Sequence, residues 1–236
     1  MIPLEYELDR LKEILIELID LVRLQIKMAG NALIYDDKKV AENVIRNELR
    51  VNALEINIDR ECEYLLACYN PLAKDLRFVI ASIKISTALE RIGDYAYRIA
   101  RIIDKGGLKK DDTLYEKLEI KVIIEKILDS FEMIIKSLEE EKEDYAQEIF
   151  VNDNYIDEIK RKSTEILKSY IANNMNAIED SLNLYVIINK LERAGDQLKN
   201  IAEEVIFYLN ARIIKHYKRE KKIKKFFGEE DNENKK

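Results

Sequence analysis

A six-residue segment occurs twice in this chain, and its spacing restricts the fold more than any other feature. Leu89-Glu90-Arg91-Ile92-Gly93-Asp94 returns as Leu191-Glu192-Arg193-Ala194-Gly195-Asp196, 102 residues later. The alignment extends without a gap to Ile99-Ala100 and Ile201-Ala202. A chain of 236 residues with such a repeat reads as a duplicated unit, each half long enough to bury a core of its own. The repeat leads to the expectation that whatever the two acids of the segment do, they do twice.

The halves are helical. Six glycines and two prolines leave little material for hairpin turns, and Lys, Glu, Ile and Leu dominate. From Pro3 to about Ala29, Leu4, Leu8, Leu11, Leu15, Leu18 and Val22 step by four and three, the seam of a bundle helix. Asp36-Asp37 open a second helix that runs to about Tyr69, and Asn70-Pro71 cap a third that ends near Asp104 before Gly106-Gly107. The second half repeats the plan. Thr113 and Glu116 form a capping box for helix four, Asp144 opens helix five, which fades in Asn173-Asn176, and helix six runs from Ile178 past Leu209. The expected fold is all-α, two tandem pseudo-symmetric three-helix bundles at 1–107 and 108–218 with antiparallel neighbours. Residues 219–236 complete a charged, disordered tail whose basic run starts at Lys215.

Acids spaced by four share one helical face, so Glu90 with Asp94, and Glu192 with Asp196, lie within reach of one ligand. The preceding helices carry matching pairs, Glu55 with Asp59 and Asp153 with Asp157. A helical wheel tests their equivalence. With the first acid at zero, Val51, Leu54, Ile58 and Leu65 centre near ~290°, as do Ile149, Ile156, Leu167 and Tyr170. Around Glu90 and Glu192 the apolar centres fall at roughly ~220° and ~240°. The acids of the second helix of each half therefore flank the core seam, and those of the third lie farther out. Four carboxylates in one groove repel unless protons or a cation neutralise them, and hard oxygen donors suit magnesium, manganese, calcium or iron. Glu48 and Asn52 extend the first groove by two turns. The competing reading is a set of solvated acids on a helical scaffold.

Other function classes find less support. A net charge of −6 argues against a nucleic-acid binder. Cys62 and Cys68 match neither a redox nor a zinc spacing and read as buried free thiols in a reducing compartment. The only histidine, His216, excludes di-iron sites built on Glu-x-x-His, and no phosphate loop or nucleophile elbow is present. Tyr64, Tyr170 and Tyr208 sit at core spacing. No uncharged run approaches ~18 residues, and the acidic N-terminus lacks an apolar leader core. The basic tail with Phe226-Phe227 offers at most peripheral contact with anionic lipid.

Leu89-Glu90-Arg91-Ile92-Gly93-Asp94, preceded by Pro71-Leu72-Ala73-Lys74-Asp75-Leu76-Arg77, resembles the PhoU family of phosphate-transport regulators over about residues 4 to 218. The resemblance implies two three-helix bundles and metal clusters on Glu55, Asp59, Glu90, Asp94, Asp153, Asp157, Glu192 and Asp196, with iron, manganese, magnesium or zinc as the ion. It also implies a cytoplasmic homodimer that is no enzyme. Such a protein associates with the inner face of the phosphate ABC-type importer, and with a sensor histidine kinase where one exists, and restrains uptake and starvation signalling. Two departures stand out: the second half shows Ala177-Ile178-Glu179-Asp180 in place of Pro-x-x-x-Asp-Leu-Arg, and its second-helix pair begins with Asp. The alternative is a metal-dependent hydrolase or redox enzyme that uses the same carboxylates.

Overall fold

The structure is a computed structural model that describes residues 3–106 and 108–213. Helices α1 (Leu4–Tyr35), α2 (Lys38–Tyr69) and α3 (Ala73–Asp104) form the first bundle. A short α4 (Asp112–Lys117) precedes α5 (Ile120–Glu140), α6 (Glu143–Asn173) and α7 (Ile178–Asn210), which form the second. Among the described residues there is no strand. The expected charged tail, with Lys215, His216 and Phe226-Phe227, lies outside the described residues.

The α1 seam is buried at Leu11, Leu15, Leu18 and Val22, and Leu4 and Leu8 are half-buried against the core. Helix α1 runs six residues beyond Ala29, because Gly30 is a contact and not a stop. A Cβ at Gly30 would lie 2.8 Å from Ile124 Cδ1 of α5, so the glycine lets the two bundles touch there. The helix ends instead at Asp36, in the left-handed region at φ 52°. Asp37 then caps α2, its Oδ1 accepting from the Lys39 and Val40 amides at 2.9 and 3.1 Å.

Two further junctions differ from the sequence reading. Asn70 terminates α2 in the left-handed conformation (φ 48°) and does not cap α3, whose N-cap is Leu72. In the second half the expected single fourth helix is broken: Glu119 adopts φ 51° between α4 and α5. That kink allows Leu118 and Ile120, two residues apart, both to be buried. The cap is Asp111 and not Thr113, because Asp111 Oδ1 accepts from the Leu114 amide at 3.0 Å while its Oδ2 accepts from Tyr170 O–H at 2.7 Å. Tyr208 is buried as expected, but Tyr64 is 45% exposed and Cys68 is also exposed, since their face of α2 looks outward; Cys62 is buried.

The bundles join along α3 and α7, with a second contact between α1 and α5. Arg77 Nε donates to the Tyr208 carbonyl at 3.1 Å, and Phe78 packs on the Tyr208 ring with centroids 5.1 Å apart. Lys84 Nζ lies 3.0 Å from Glu204 Oε2. The Asp-Leu-Arg element at the start of α3 therefore serves, through Arg77, to tie the first bundle to the end of the second. The residues that replace it in the second half take another role: Asp180 Oδ1 accepts from the Lys109 amide at 3.2 Å.

Candidate functional site

Each half presents its acids in a groove between its last two helices, and a glycine sets the depth of that groove. A Cβ on Gly93 would meet Val51 Cγ1 of α2 at 3.1 Å, and one on Gly195 would meet Ile156 Cδ1 of α6 at 3.2 Å and Asp153 Oδ1 at 3.7 Å. Glycine in a helix interior costs about 1 kcal/mol relative to alanine. Close approach of the two acid-bearing helices offsets that loss. Leu89 and Leu191, adjacent to the first acid of each repeat, are fully buried, which orients the acids toward the groove rim.

In the first bundle, Glu55, Asp59, Glu90 and Asp94 are all partly buried. Desolvation, then the charges of Asp94, Glu55 and Glu48, push the Glu90 carboxyl above its ordinary range, against a smaller opposing pull from Arg91. Glu55 is raised by desolvation and by Asp59, and Asp59 by desolvation and by Glu63. Asp59 Oδ1 is buried and makes no hydrogen bond with a protein group. Arg98 lies 3.6 Å from Asp94 Oδ2 with a side chain 59% exposed, and it screens only weakly. Glu48 Oε1 accepts from Asn52 Nδ2 at 3.0 Å, which orders the extension of the groove.

In the second bundle two lysines pair with three of the four acids. Lys199 Nζ of α7 lies 2.6 Å from Asp153 Oδ2 across the groove and 3.7 Å from Asp196 Oδ1 on its own helix. Lys160 Nζ of α6 lies 2.8 Å from Glu192 Oε1 on α7. Burial lowers the Lys199 pKa, but the hydrogen bond to Asp153 and the charges of Asp153, Asp196 and Asp157 outweigh it and hold the ammonium above its ordinary range. Asp196 and Asp157 are raised, each by desolvation first and by Asp153 next. Burial in this bundle departs from the helical-wheel expectation. Asp153 is buried and Asp157 exposed, while the Glu192 side chain is only 14% exposed, so burial alternates within each pair and does not follow the helix that carries it.

Reasoning from carboxylate pairs alone passes over Lys160 and Lys199. Their signal is nonetheless in the sequence: each stands three residues after the second acid of a pair, Asp157 or Asp196. At the equivalent places after Asp59 and Asp94 the first half has Cys62 and Tyr97. Among the described residues, no three Asp, Glu, His or Cys side chains converge on a common point as they stand, so loading an ion requires carboxylates to turn toward it. Two clefts, one near Lys74 and Tyr208 and one near Lys117 and Tyr170, include none of the eight acids.

The same two-fold plan is found in known proteins. A family profile, the PhoU domain, matches residues 15–103 and again 120–205. The chain belongs to the PhoU family. It is 30% identical over 216 residues to the phosphate-specific transport system accessory protein PhoU homolog of Pseudomonas aeruginosa, covering 89% of this chain and 86% of that one. The PhoU homolog 1 of Thermotoga maritima is 30% identical over 216 residues, with 91% and 92% covered. The crystal structure of the Pseudomonas aeruginosa PhoU superposes with a TM-score of 0.82 over 89% of this chain. The PhoU regulatory protein of Streptococcus pneumoniae does so at 0.78 with 26% identity, again over 89% of this chain. These PhoU relatives are named as accessory or regulatory proteins of phosphate transport and not as enzymes, in agreement with the non-enzymatic reading of this chain. No helix among the described residues is long and apolar enough to cross a membrane.

Proposed function

We propose that this protein is a non-enzymatic regulator of phosphate uptake and phosphate-starvation signalling. It acts as a metal-binding cytoplasmic adaptor on the inner face of the phosphate importer, and on a sensor histidine kinase where the cell has one. PhoU family membership across both halves supports the regulatory part of this reading. The observation that supports metal binding is the first bundle's groove: Glu55, Asp59 and Glu90 are each raised by desolvation first and by neighbouring carboxylates next, and Asp59 Oδ1 is buried with no protein hydrogen-bond partner. A donor set of oxygens alone suits a hard ion such as magnesium, manganese or iron. Glu55, Asp59, Glu90 and Asp94 would hold it, with Glu48 beyond them along the groove. When bound, the ion would supply positive charge on an otherwise acidic face, which favours phosphate or acidic partner surfaces. The protein is proposed to work as a homodimer, with its two bundles divided near residues 107 and 108.

Isothermal titration of manganese into wild type and into Glu90→Ala/Asp94→Ala tests the site. Heat of binding lost in the variant is expected, and unchanged binding would sink the assignment. Co-purification with the importer's cytoplasmic subunits, with manganese and then with chelator, tests the adaptor role. An interaction insensitive to the chelator would separate docking from metal.

A further inference from the structure

The repeat hides a chemical difference between its two copies. We propose that Lys160 and Lys199 are built-in counter-ions that take the place of a multivalent metal in the second bundle, so that metal loading is confined to the first. The inference rests on the metal-binding reading of the first bundle given above.

Geometry carries it. Lys199 Nζ spans the groove between α6 and α7, 2.6 Å from one oxygen of the buried Asp153 and 3.7 Å from Asp196. Lys160 spans it in the opposite sense, 2.8 Å from Glu192. Each lysine therefore links the two helices by joining an acid across the groove, which is the task an ion shared between facing carboxylates would perform. One oxygen of each facing carboxylate, Asp153 Oδ2 and Glu192 Oε1, already accepts from an ammonium group. An incoming cation would have to expel two charges of its own sign from between their partners, and would leave them beside it.

Among the described residues, no ammonium or guanidinium group spans the first groove in this way; the one ion pair its four acids make there is Arg98 with Asp94, within α3. Cys62 and Tyr97 occupy the two equivalent positions; the Cys62 thiol points to the Val79 carbonyl at 3.7 Å and carries no positive charge. Its groove holds one acid more, Glu48, where the second half has Ala146. The duplicated motif thus specifies where the carboxylates stand, and the residue one turn later specifies what neutralises them.

Manganese(II) chloride titrated calorimetrically into the chelator-treated full chain tests this, with thermal melting in the presence and absence of manganese as a second reading. Glu55→Gln/Glu90→Gln should abolish manganese binding altogether. Half the wild-type stoichiometry surviving in that variant would overturn the proposal, because the lysine-filled groove would then be taking metal. Lys160→Met/Lys199→Met should roughly double the stoichiometry and enlarge the rise in melting temperature that manganese produces. A folded double variant with wild-type stoichiometry also overturns it, and if that variant does not fold, the first variant still decides. Wild type that binds no manganese removes the metal reading of the first bundle. In that event, gain of binding by the lysine double variant supports the counter-ion role, and no gain overturns it.

Discussion

The two acid grooves share their helices, their glycine and their carboxylate spacing, yet they resolve the same electrostatic problem in different ways. In the second bundle Asp153 is almost fully buried and meets Lys199 at 2.6 Å; in the first, Asp59 raises Glu55, Asp94 and Glu55 raise Glu90, and Asp59 Oδ1 has no protein hydrogen-bond partner. Duplication preserved the backbone register because a shift of one residue would turn Leu89 or Leu191 out of the core. It did not constrain the position three residues beyond each Asp to one chemistry, since Cys62 and Tyr97 stand where the second half has lysines. A groove neutralised from within contributes to stability, whereas one left acidic is available to something from outside.

The largest test of that contrast is Lys199→Met. It strands the Asp153 charge beside Asp157 and Asp196, and removing one partner of a buried pair typically costs about 3–5 kcal/mol. The Lys199 side chain is 33% exposed, so about 2–3 kcal/mol is expected, read as a lower urea midpoint. Asp153→Asn in the same chain should restore part of it, and an unshifted midpoint would mean that the ion pair is only decorative.

A single kind of substitution should then act with opposite sign in the two halves. Glu90→Gln removes one of several repelling carboxylates and should stabilise the metal-free protein by roughly 0.5–1 kcal/mol. Glu192→Gln deprives Lys160 of its 2.8 Å partner and should destabilise by about 1–2 kcal/mol. Melting temperatures that move in the same direction would refute the asymmetry.

The smallest effect is in pH. Because Glu55, Asp59 and Glu90 are raised in the folded state, the native protein binds those protons more tightly than the unfolded chain. Their stabilisation is complete below the ordinary carboxylate range and is lost as pH climbs through their raised values. Asp111 and Glu141, held low by hydrogen bonds from Tyr170 and Lys74, work in the opposite direction. The quantity to measure is therefore the difference between wild type and Glu55→Gln/Glu90→Gln, melted without metal between mildly acidic and neutral pH. The variant's advantage should grow toward neutrality, and a constant offset would mean that these carboxyls titrate normally.

Much of the molecule is legible in its residues alone. The repeat, the long helices and the four acid pairs follow from periodicity and spacing, since helical geometry translates sequence distance directly into a shared face. Junctions are harder to read. Gly30 resembles a stop signal until Ile124 of the other bundle is seen against it, and Glu119 gives no hint of a left-handed turn because burial of Leu118 and Ile120 forces it. Tyr64 and Cys68 have core-like spacing but face outward, since no helix covers that side of α2 among the described residues.

Two helical halves of one family and the register of their acids can be read from the residues, because those depend on contacts within a helix or on identity between copies. The sequence also contains the lysines three residues after Asp157 and Asp196. What those lysines do is set by the packing of α6 against α7. A lysine can fold back along its own helix or reach across to the next, and the sequence spacing permits both. Lys199 reaches Asp153 at 2.6 Å and leaves Asp196 at 3.7 Å. The close crossing at Gly195 brings a buried carboxylate within reach, and a desolvated charge competes for the ammonium more strongly than one bathed in water.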